Sequence, residues 1–141
     1  FIWLAEAWDK SYLNFADHNV SGSVQPFMMA RCIDARLALA KLPVANNMEE
    51  NNVVLLLTDS IIGRNNHLIN VKTAPGKLEA VSTLDNEDIT MDMGAFTQMY
   101  FGAFTATELA EAGKIKVHNA EKLSVLDRLF PKCRNYINEY F

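Results

Sequence analysis

The spacing of apolar positions at the start of the chain predicts one helix followed by a loop. Apolar side chains recur at intervals of three and four over residues 1–19, which is typical of an amphipathic helix. Those positions are Ile2, Ala5, Trp8, Tyr12 and Phe15. Small polar residues at 19–23 then predict a loop or linker. We therefore expect residues 1–25 to precede a separate domain over residues 26–141.

A strand and a short helix are predicted next. Residues 24–33 are rich in Met and Phe and have the apolar character of a strand. Asp34 stands at the N-cap position of a helix over residues 35–42, which Pro43 ends. Arg31 and Asp34 flank the turn between the two elements. We favour a structural ion pair between these two side chains over a contact with a ligand.

The middle of the chain predicts strands. Residues 53–57 are apolar on both faces, which indicates a central strand of a sheet. Residues 67–73 and 78–84 have strand-like patterns and are joined by a Pro-Gly turn, so they predict a hairpin. Apolar and polar residues alternate over positions 89–93, which predicts one more short strand.

The last third of the chain predicts three helices around one extended segment. The first of these helices has apolar side chains on one face, at Met93, Phe96, Met99 and Tyr100. The second helix covers residues 106–112 and stops at Gly113, and residues 114–118 are extended. Asn119 caps the third helix, which Pro131 ends. This order of elements indicates an α+β fold with a small, mainly antiparallel sheet flanked by helices.

Composition restricts the class of protein. A chain of 141 residues that is 50% hydrophobic is long enough for one domain with its own core. Its 13 basic and 17 acidic side chains make a nucleic acid or an anionic membrane an improbable partner. No apolar run approaches the length of a membrane-spanning helix, so we expect a soluble protein.

Cys32 and Cys133 form no Cys-x-x-Cys pair, which favours a reducing cytoplasm. Because the sequence begins with Phe1, we expect a piece of a longer chain.

Few residues suggest chemistry of their own. His18, His67 and His118 lie about fifty residues apart, so we expect no metal site. The sequence contains no serine-hydrolase elbow, dinucleotide-binding glycine motif or P-loop. It also lacks the glycine-rich turn that holds the pyrophosphate of coenzyme A on a helix N-terminus, so we expect no cofactor site. The acidic residues Asp85, Glu87, Asp88 and Asp92 are interpreted as solvated loop positions.

A cluster of Met and aromatic residues leaves two alternatives open. Seven of them gather within fourteen positions: Met91, Met93, Phe96, Met99, Tyr100, Phe101 and Phe104. Flexible apolar side chains of this kind line some lipid cavities. More often they form an ordinary core, and we favour the core.

Several motifs in chain order resemble the C-terminal domain of Eis-type (enhanced intracellular survival) GNAT N-acetyltransferases. The resemblance extends from about Met28 to Phe141. Its motifs are Phe27 to Asp34, Val54 to Asp59 with Asn65 and Asn66, Ile89 to Asp92 with Phe96, Tyr100 and Gly102, Ala112 to Ile115, Leu126 to Phe130, and Tyr140-Phe141. Two departures from the family pattern, Cys32 and the pair Asn66-His67, bear on the turn after Asp59.

The resemblance implies a fold and an activity. The fold is sterol-carrier-protein-like, and residues 1–25 are the end of a preceding GNAT-like domain. The parent enzyme transfers the acetyl group of acetyl-CoA to a primary amine, which in this family includes aminoglycosides. In such enzymes the terminal carboxylate enters the acetyltransferase site and acts as the base. The matching group here is the α-carboxylate of Phe141, and Glu139 lies close to it in sequence.

Three hypotheses follow from the sequence. The leading one is a C-terminal domain that is inactive alone, supplies the Phe141 carboxylate, and contacts both the preceding GNAT domain and further copies in a homo-oligomer. The second is a sterol or lipid carrier whose cavity is lined by residues 91–104. The third is a purely structural domain that assembles subunits.

Overall fold

The computed structural model describes residues 30–133, which form one mixed sheet and four helices. The strands are β1 (Asn51–Thr58), β2 (His67–Ala74), β3 (Lys77–Ser82), β4 (Ile89–Asp92) and β5 (Ile115–Val117). The helices are α1 (Ala35–Ala40), α2 (Met93–Tyr100), α3 (Ala106–Glu111) and α4 (Glu121–Leu129), and a short 3-10 turn covers Gly63–Asn65. The α+β class expected from the sequence is confirmed.

The sheet has the order β3-β2-β1-β4-β5, with β1 at its centre as its apolar sequence predicts. Three of its pairs, β1 with β2, β2 with β3 and β4 with β5, are antiparallel. The pair of β1 with β4 is parallel, with Leu55 opposite Ile89. The sheet is therefore mainly antiparallel, with one parallel junction at its centre.

The predicted strand over residues 24–33 is wrong in its described part. Residues 30–33 have no strand conformation. The backbone N–H of Cys32 donates to the Thr97 hydroxyl on α2 at 3.1 Å, instead of to a neighbouring strand. This segment consequently runs along the helical layer and leads into α1.

The core lies between one face of the sheet and the helices. Residues Leu55, Leu57, Ile69, Val71, Ile89 and Met91 belong to the same buried cluster as Leu39, Met93, Phe96, Met99, Leu126 and Leu129. Because strand side chains alternate between faces, Val54 lies on the opposite face from Val53 and Leu55. One layer of helices on one sheet face is the arrangement expected of a two-layer α+β domain.

Caps and turns agree with the predicted boundaries. The Asp34 carboxylate accepts from the Leu37 N–H at 2.9 Å at the start of α1, and the Asn119 side chain accepts from the Glu121 N–H at 3.2 Å at the start of α4. The β2–β3 hairpin turns at Gly76, whose φ of 67° is in the left-handed region. The two caps are formed by neighbouring residues, whereas the Gly76 N–H also donates to the distant Ala45 carbonyl at 3.1 Å.

Candidate functional site

The most connected polar side chain of the described residues is Asp59, which directly follows β1. Its carboxylate is fully buried and pairs with the Arg31 guanidinium. It also accepts from the Asn65 side-chain amide at 2.8 Å and from the N–H groups of Ile61 and Ile62 at 2.9 and 3.0 Å. These four contacts join the end of β1, the 3-10 turn and the segment before α1.

These contacts hold Asp59 in its charged form. The Asn65 amide, followed by the Ile62 N–H, holds the pKa of the Asp59 carboxyl well below its usual range. A carboxylate that resists protonation in this way is a poor proton acceptor. We conclude that Asp59 has a structural role, as the hub of a buried polar network.

The expected ion pair between Arg31 and Asp34 is wrong. The Asp34 carboxylate faces the N-terminus of α1, where it caps the helix. Arg31 instead pairs with Asp59 at 2.5 Å, 28 positions along the chain. The helix N-terminus attracts the nearer carboxylate through its free N–H groups, which leaves the guanidinium for the buried one.

The two departures from the family pattern have distinct surroundings. Asn66 closes the turn after β1, because its side chain accepts from the Asp59 N–H and donates to the Asp59 carbonyl at 2.9 Å. Cys32 is buried in the core beside α2. Burial raises the pKa of its thiol, so the sulfur is held in the neutral form.

An open groove lies beside this network, between α1 and the end of α2. We call it the α1–α2 groove; its volume is about 470 Å³. Its lining residues are Arg31, Cys32, Ile33, Asp34, Leu37, Ala38, Lys41, Arg64, Tyr100 and Phe101. The Tyr100 hydroxyl donates to the Ala38 carbonyl at 3.1 Å and joins the two helices across the floor. Sequence analysis missed this groove, because its walls are 62 positions apart.

The acidic residues that resemble a catalytic cluster have structural partners. Asp88 accepts from the Val54 N–H at 2.8 Å and from the Asn119 amide at 3.1 Å. Asp92 caps α2 through the Ala95 N–H at 2.7 Å. Asp85 pairs with Thr83 in the exposed loop after β3. Asp85 and Asp88 both lie in the loop between β3 and β4, as interpreted, but Asp88 also anchors β1, and Asp92 ends β4 and caps α2.

The histidines are dispersed. His118 contacts the Thr90 hydroxyl at 3.1 Å and lies 3.8 Å from the Glu87 carboxylate, and His67 begins β2. His18 lies outside the described residues. Within residues 30–133, His, Cys, Asp and Glu form no group of three or more that could hold a metal ion. No helix in the same range is long and apolar enough to cross a membrane.

The Met and aromatic cluster forms core. Met91, Met93, Phe96 and Met99 are almost completely buried, and Phe96 packs edge-on against Phe130 with ring centroids 6.4 Å apart. Of the remaining members, Tyr100 and Phe101 reach the α1–α2 groove. The favoured alternative, an ordinary core, is therefore confirmed for the inward-facing residues.

The catalytic candidate Phe141 lies outside the described residues, as do Glu139 and the predicted boundary between residues 25 and 26. The role of Phe141 and this boundary therefore stay predictions. The described residues provide a folded domain with a buried polar hub and an open groove beside it.

Comparisons with known proteins agree with this architecture. A family model described as "Sterol carrier protein domain" matches residues 35–138. No curated protein matches the chain significantly.

Solved structures with a similar fold are larger proteins. A GCN5-related N-acetyltransferase from Kribbella flavida is 22% identical with a TM-score of 0.69, over 79% of this chain and 28% of that one. A GCN5-related N-acetyltransferase from Anabaena variabilis is 19% identical with a TM-score of 0.61, over 75% of this chain and 26% of that one. Eis1 from Mycobacterium abscessus is 24% identical with a TM-score of 0.55, over 69% of this chain and 23% of that one. The chain thus spans about a quarter of the length of these three structures.

Proposed function

Because this chain belongs to the sterol carrier protein domain family through residues 35–138, we propose that it is the C-terminal domain of a GNAT-type N-acetyltransferase acting on primary amines. One observation carries the proposal: the fold matches about a quarter of three larger structures, two described as GCN5-related N-acetyltransferases and one as Eis1. A unit of that size is one part of a larger enzyme. The acetyl-CoA site then belongs to the remainder, and this chain is inactive alone.

The N-termini of α1, α2 and α3 already bind side chains of this chain, which does not favour the pyrophosphate of acetyl-CoA there. A pyrophosphate needs free N–H groups and a favourable field at the start of a helix. The starts of α1 and α2 are already occupied by the carboxylates of Asp34 and Asp92, and the start of α3 is closed by a capping box between Thr105 and Glu108. These side chains supply negative charge or consume the donors, so no step through acetyl-CoA is assigned to these residues.

The contribution that we propose for this chain is the α-carboxylate of Phe141. An anion beside a substrate amine attracts its ammonium form and accepts a proton directly or through water. A free α-carboxyl titrates at about 3.5, so at neutral pH attraction of the ammonium contributes alongside proton transfer. Aminoglycosides are substrates of suitable chemistry, because they present several primary amines.

The test is acetyl-CoA turnover by the full-length parent enzyme with a displaced terminus. Adding three residues after Phe141 moves the carboxylate by about 10 Å. We expect kcat to fall by about 10²-fold or more, which is the usual contribution of a positioned base. A matched control inserts the same three residues after Asn86, in the exposed loop between β3 and β4.

Each outcome separates the hypotheses. Loss of kcat in the extended variant with the Asn86 insertion still active supports the carboxylate role. Unchanged turnover in both variants would contradict the carboxylate role and favour a purely structural domain. Acetyl transfer by the 141-residue chain alone would refute the division of labour between domains.

We also propose that the domain contacts the preceding acetyltransferase domain and further copies of the parent. Ile61 and Leu84 are highly exposed apolar side chains, which a contact of this kind would remove from water. Light scattering of the parent measures its mass. An unchanged mass in Leu84→Ser and Ile61→Ser variants would contradict a contact through these residues.

A further inference from the structure

The first described residues are bound to helix α2. The backbone N–H of Cys32 donates to the Thr97 hydroxyl at 3.1 Å, although the two residues lie 65 positions apart. The Thr97 hydroxyl itself donates to the Met93 carbonyl at 2.6 Å, four residues earlier in the helix. Because its hydrogen is committed to that carbonyl, its oxygen is left to accept from the entering chain. The entering segment is therefore fixed to α2.

The neighbours of Cys32 are held as well. The Arg31 guanidinium pairs with the buried Asp59 carboxylate at the end of β1. The Ile33 carbonyl accepts from the side chains of Arg64 and Asn65, at 3.4 and 3.3 Å. Three consecutive residues of the entering segment are consequently bound to three separate elements, the end of β1, α2 and the 3-10 turn.

The last described residue is bound to the end of the same helix. The Cys133 N–H donates to the Gly102 carbonyl at 3.0 Å, and the Cys133 thiol donates to the Phe101 carbonyl at 3.2 Å. A Cβ at Gly102 would lie 2.8 Å from both the Cys133 nitrogen and the Pro131 carbonyl oxygen. This close approach of two backbones leaves no room for a side chain at Gly102.

The two attachment points lie about one helical turn apart. Thr97 and the C-cap residue Phe101 are four positions apart, which corresponds to a rise of about 6 Å along the helix axis. The turn between them is anchored, because Phe96 and Met99 are fully buried in the core. The chain therefore enters and leaves the described domain beside one firmly packed helix.

We propose that Thr97 and Gly102 are positioning residues, which fix the place where the terminal segment leaves this domain relative to the preceding acetyltransferase domain. The inference rests on the proposed function, in which the Phe141 carboxylate acts in the site of that domain. Eight residues follow Cys133, and fully extended they reach about 26 to 29 Å. The carboxylate reaches its site only when the exit point is held within that distance. Helix α2 provides the hold, because it binds the entering and the leaving chain one turn apart.

Isosteric variants of the full-length parent enzyme test the role of Thr97. Thr97→Val removes the acceptor for the Cys32 N–H and keeps the shape of the side chain. We expect its kcat to fall by at least about tenfold, because a displacement of about 1 Å at a catalytic group costs up to about 10²-fold. The KM for acetyl-CoA is expected to stay unchanged, because that site belongs to the preceding domain. Thr97→Ser retains the hydroxyl and is expected to restore the wild-type kcat.

Thr73→Val is the matched control for loss of a buried threonine hydroxyl. Thr73 is 5% exposed and Thr97 is 6% exposed, and the Thr73 hydroxyl donates to the Glu49 carbonyl at 3.0 Å, away from both attachment points. We expect Thr73→Val to lose stability without losing kcat. An equal fall of kcat in Thr73→Val and Thr97→Val would overturn the proposal.

A pair of glycine variants tests the exit point. Gly102→Ala displaces the segment that contains Cys133, whereas Gly113→Ala adds a methyl group at the same φ of 66° with nothing within 4 Å. We expect Gly102→Ala to lower the kcat of the parent enzyme and Gly113→Ala to leave it unchanged. Equal kcat values in the two variants would contradict a positioning role for Gly102.

A double variant separates positioning from a merely structural role. In the parent enzyme that carries three extra residues after Phe141, the carboxylate is already displaced. Thr97→Val is therefore expected to cause no further loss of kcat in that background. Losses that multiply would show that Thr97 acts independently of the carboxylate and would overturn the inference.

The same measurements distinguish failure of the inference from failure of the proposed function. If the extension lowers kcat but Thr97→Val does not, the positioning role is refuted and the carboxylate role stands. If the extension leaves kcat unchanged, the carboxylate role is refuted, and the positioning role is refuted with it.

Discussion

At the scale of single residues, Asp59 shows how one buried charge organises several segments. Its carboxylate receives hydrogen bonds from Arg31, Asn65 and two backbone N–H groups. Removing one partner of such a network leaves the others without a buried acceptor, which is more costly than the bond itself. The hub therefore links the end of β1 to the wall of the α1–α2 groove.

The low pKa of Asp59 predicts a pH dependence of stability. A carboxyl with a lowered folded-state pKa stabilises the fold above its unfolded value of about 3.9, and this stabilisation is lost as the pH falls towards the folded value. Asp59→Asn lacks this titration. We expect its Tm at pH 7 to fall by on the order of 5 °C, and its further loss between pH 7 and pH 3 to be smaller than in the wild type.

Scanning calorimetry at pH 7, 5 and 3 checks this expectation. Asp85→Asn is the control, because Asp85 lies in an exposed loop and bonds only to Thr83 among the described residues. Identical pH profiles for the wild type and Asp59→Asn would show that the network does not depend on the charge.

The two thiols are expected to react at different rates. Cys32 is buried and burial raises its pKa, whereas the Cys133 side chain is exposed. Thiolate is the reactive form. At pH 8 we expect Ellman's reagent to modify Cys133 at least about 100-fold faster than Cys32, measured in the Cys32→Ser and Cys133→Ser variants. Similar rates for the two thiols in the folded protein would contradict the buried position of Cys32. The rates in 6 M guanidinium provide the reference for the unfolded chain.

At the scale of elements, two glycines with the same backbone conformation have different surroundings. Gly102 and Gly113 both have φ near +66°, where a side chain is strained. A Cβ at Gly102 would meet the Cys133 sulfur and would lie 2.8 Å from the Pro131 carbonyl, whereas a Cβ at Gly113 would meet nothing within 4 Å. The end of α2 is therefore packed against the segment that follows α4.

This pair separates conformational cost from close packing. For Gly113→Ala we expect a loss of about 1–2 kcal/mol in the free energy of unfolding, from the left-handed conformation alone. For Gly102→Ala we expect at least about twice that loss, because the chain must also shift. Urea unfolding of both variants measures the difference, and equal losses would mean that the contact with residues 131–133 yields freely.

At the scale of the whole molecule, Phe96 joins the helical layer into one core. It is fully buried, and its ring lies 6.0 Å from that of Tyr100 and 6.4 Å from that of Phe130. One residue thus connects α2 with the end of α4. The helices cover the sheet as a unit because their buried side chains interdigitate at this point.

Truncating this ring is expected to have a large effect on stability. Phe96→Ala should lower the free energy of unfolding by about 3–5 kcal/mol, through lost burial and an unfilled cavity. Phe104→Ala is the control and should cost less than about 1 kcal/mol, because Phe104 is 45% exposed. Chemical denaturation compares the two, and losses of similar size would contradict the assignment of Phe96 to the core.

Elements whose boundaries depend on nearby residues were predictable. Examples are the cap at Asp34, the hairpin that turns at Gly76 and the central strand β1. Each of them follows from a sequence pattern that is only about ten residues long. The α+β class followed from their order. Local conformational preference and hydrophobic period act over that range, so the sequence contains the information directly.

Contacts between distant segments were decided only by the tertiary structure. Arg31 selects Asp59 over Asp34 because the nearer carboxylate is already bound to a helix N-terminus. The parallel pairing of β1 with β4 and the α1–α2 groove likewise arise from which surfaces the whole core brings together. Apart from the strand predicted over residues 24–33, sequence alone determined the elements and the class of fold, because those depend on local energetics. Partner choice among similar charges and surfaces depends on burial, which exists only once the chain is folded.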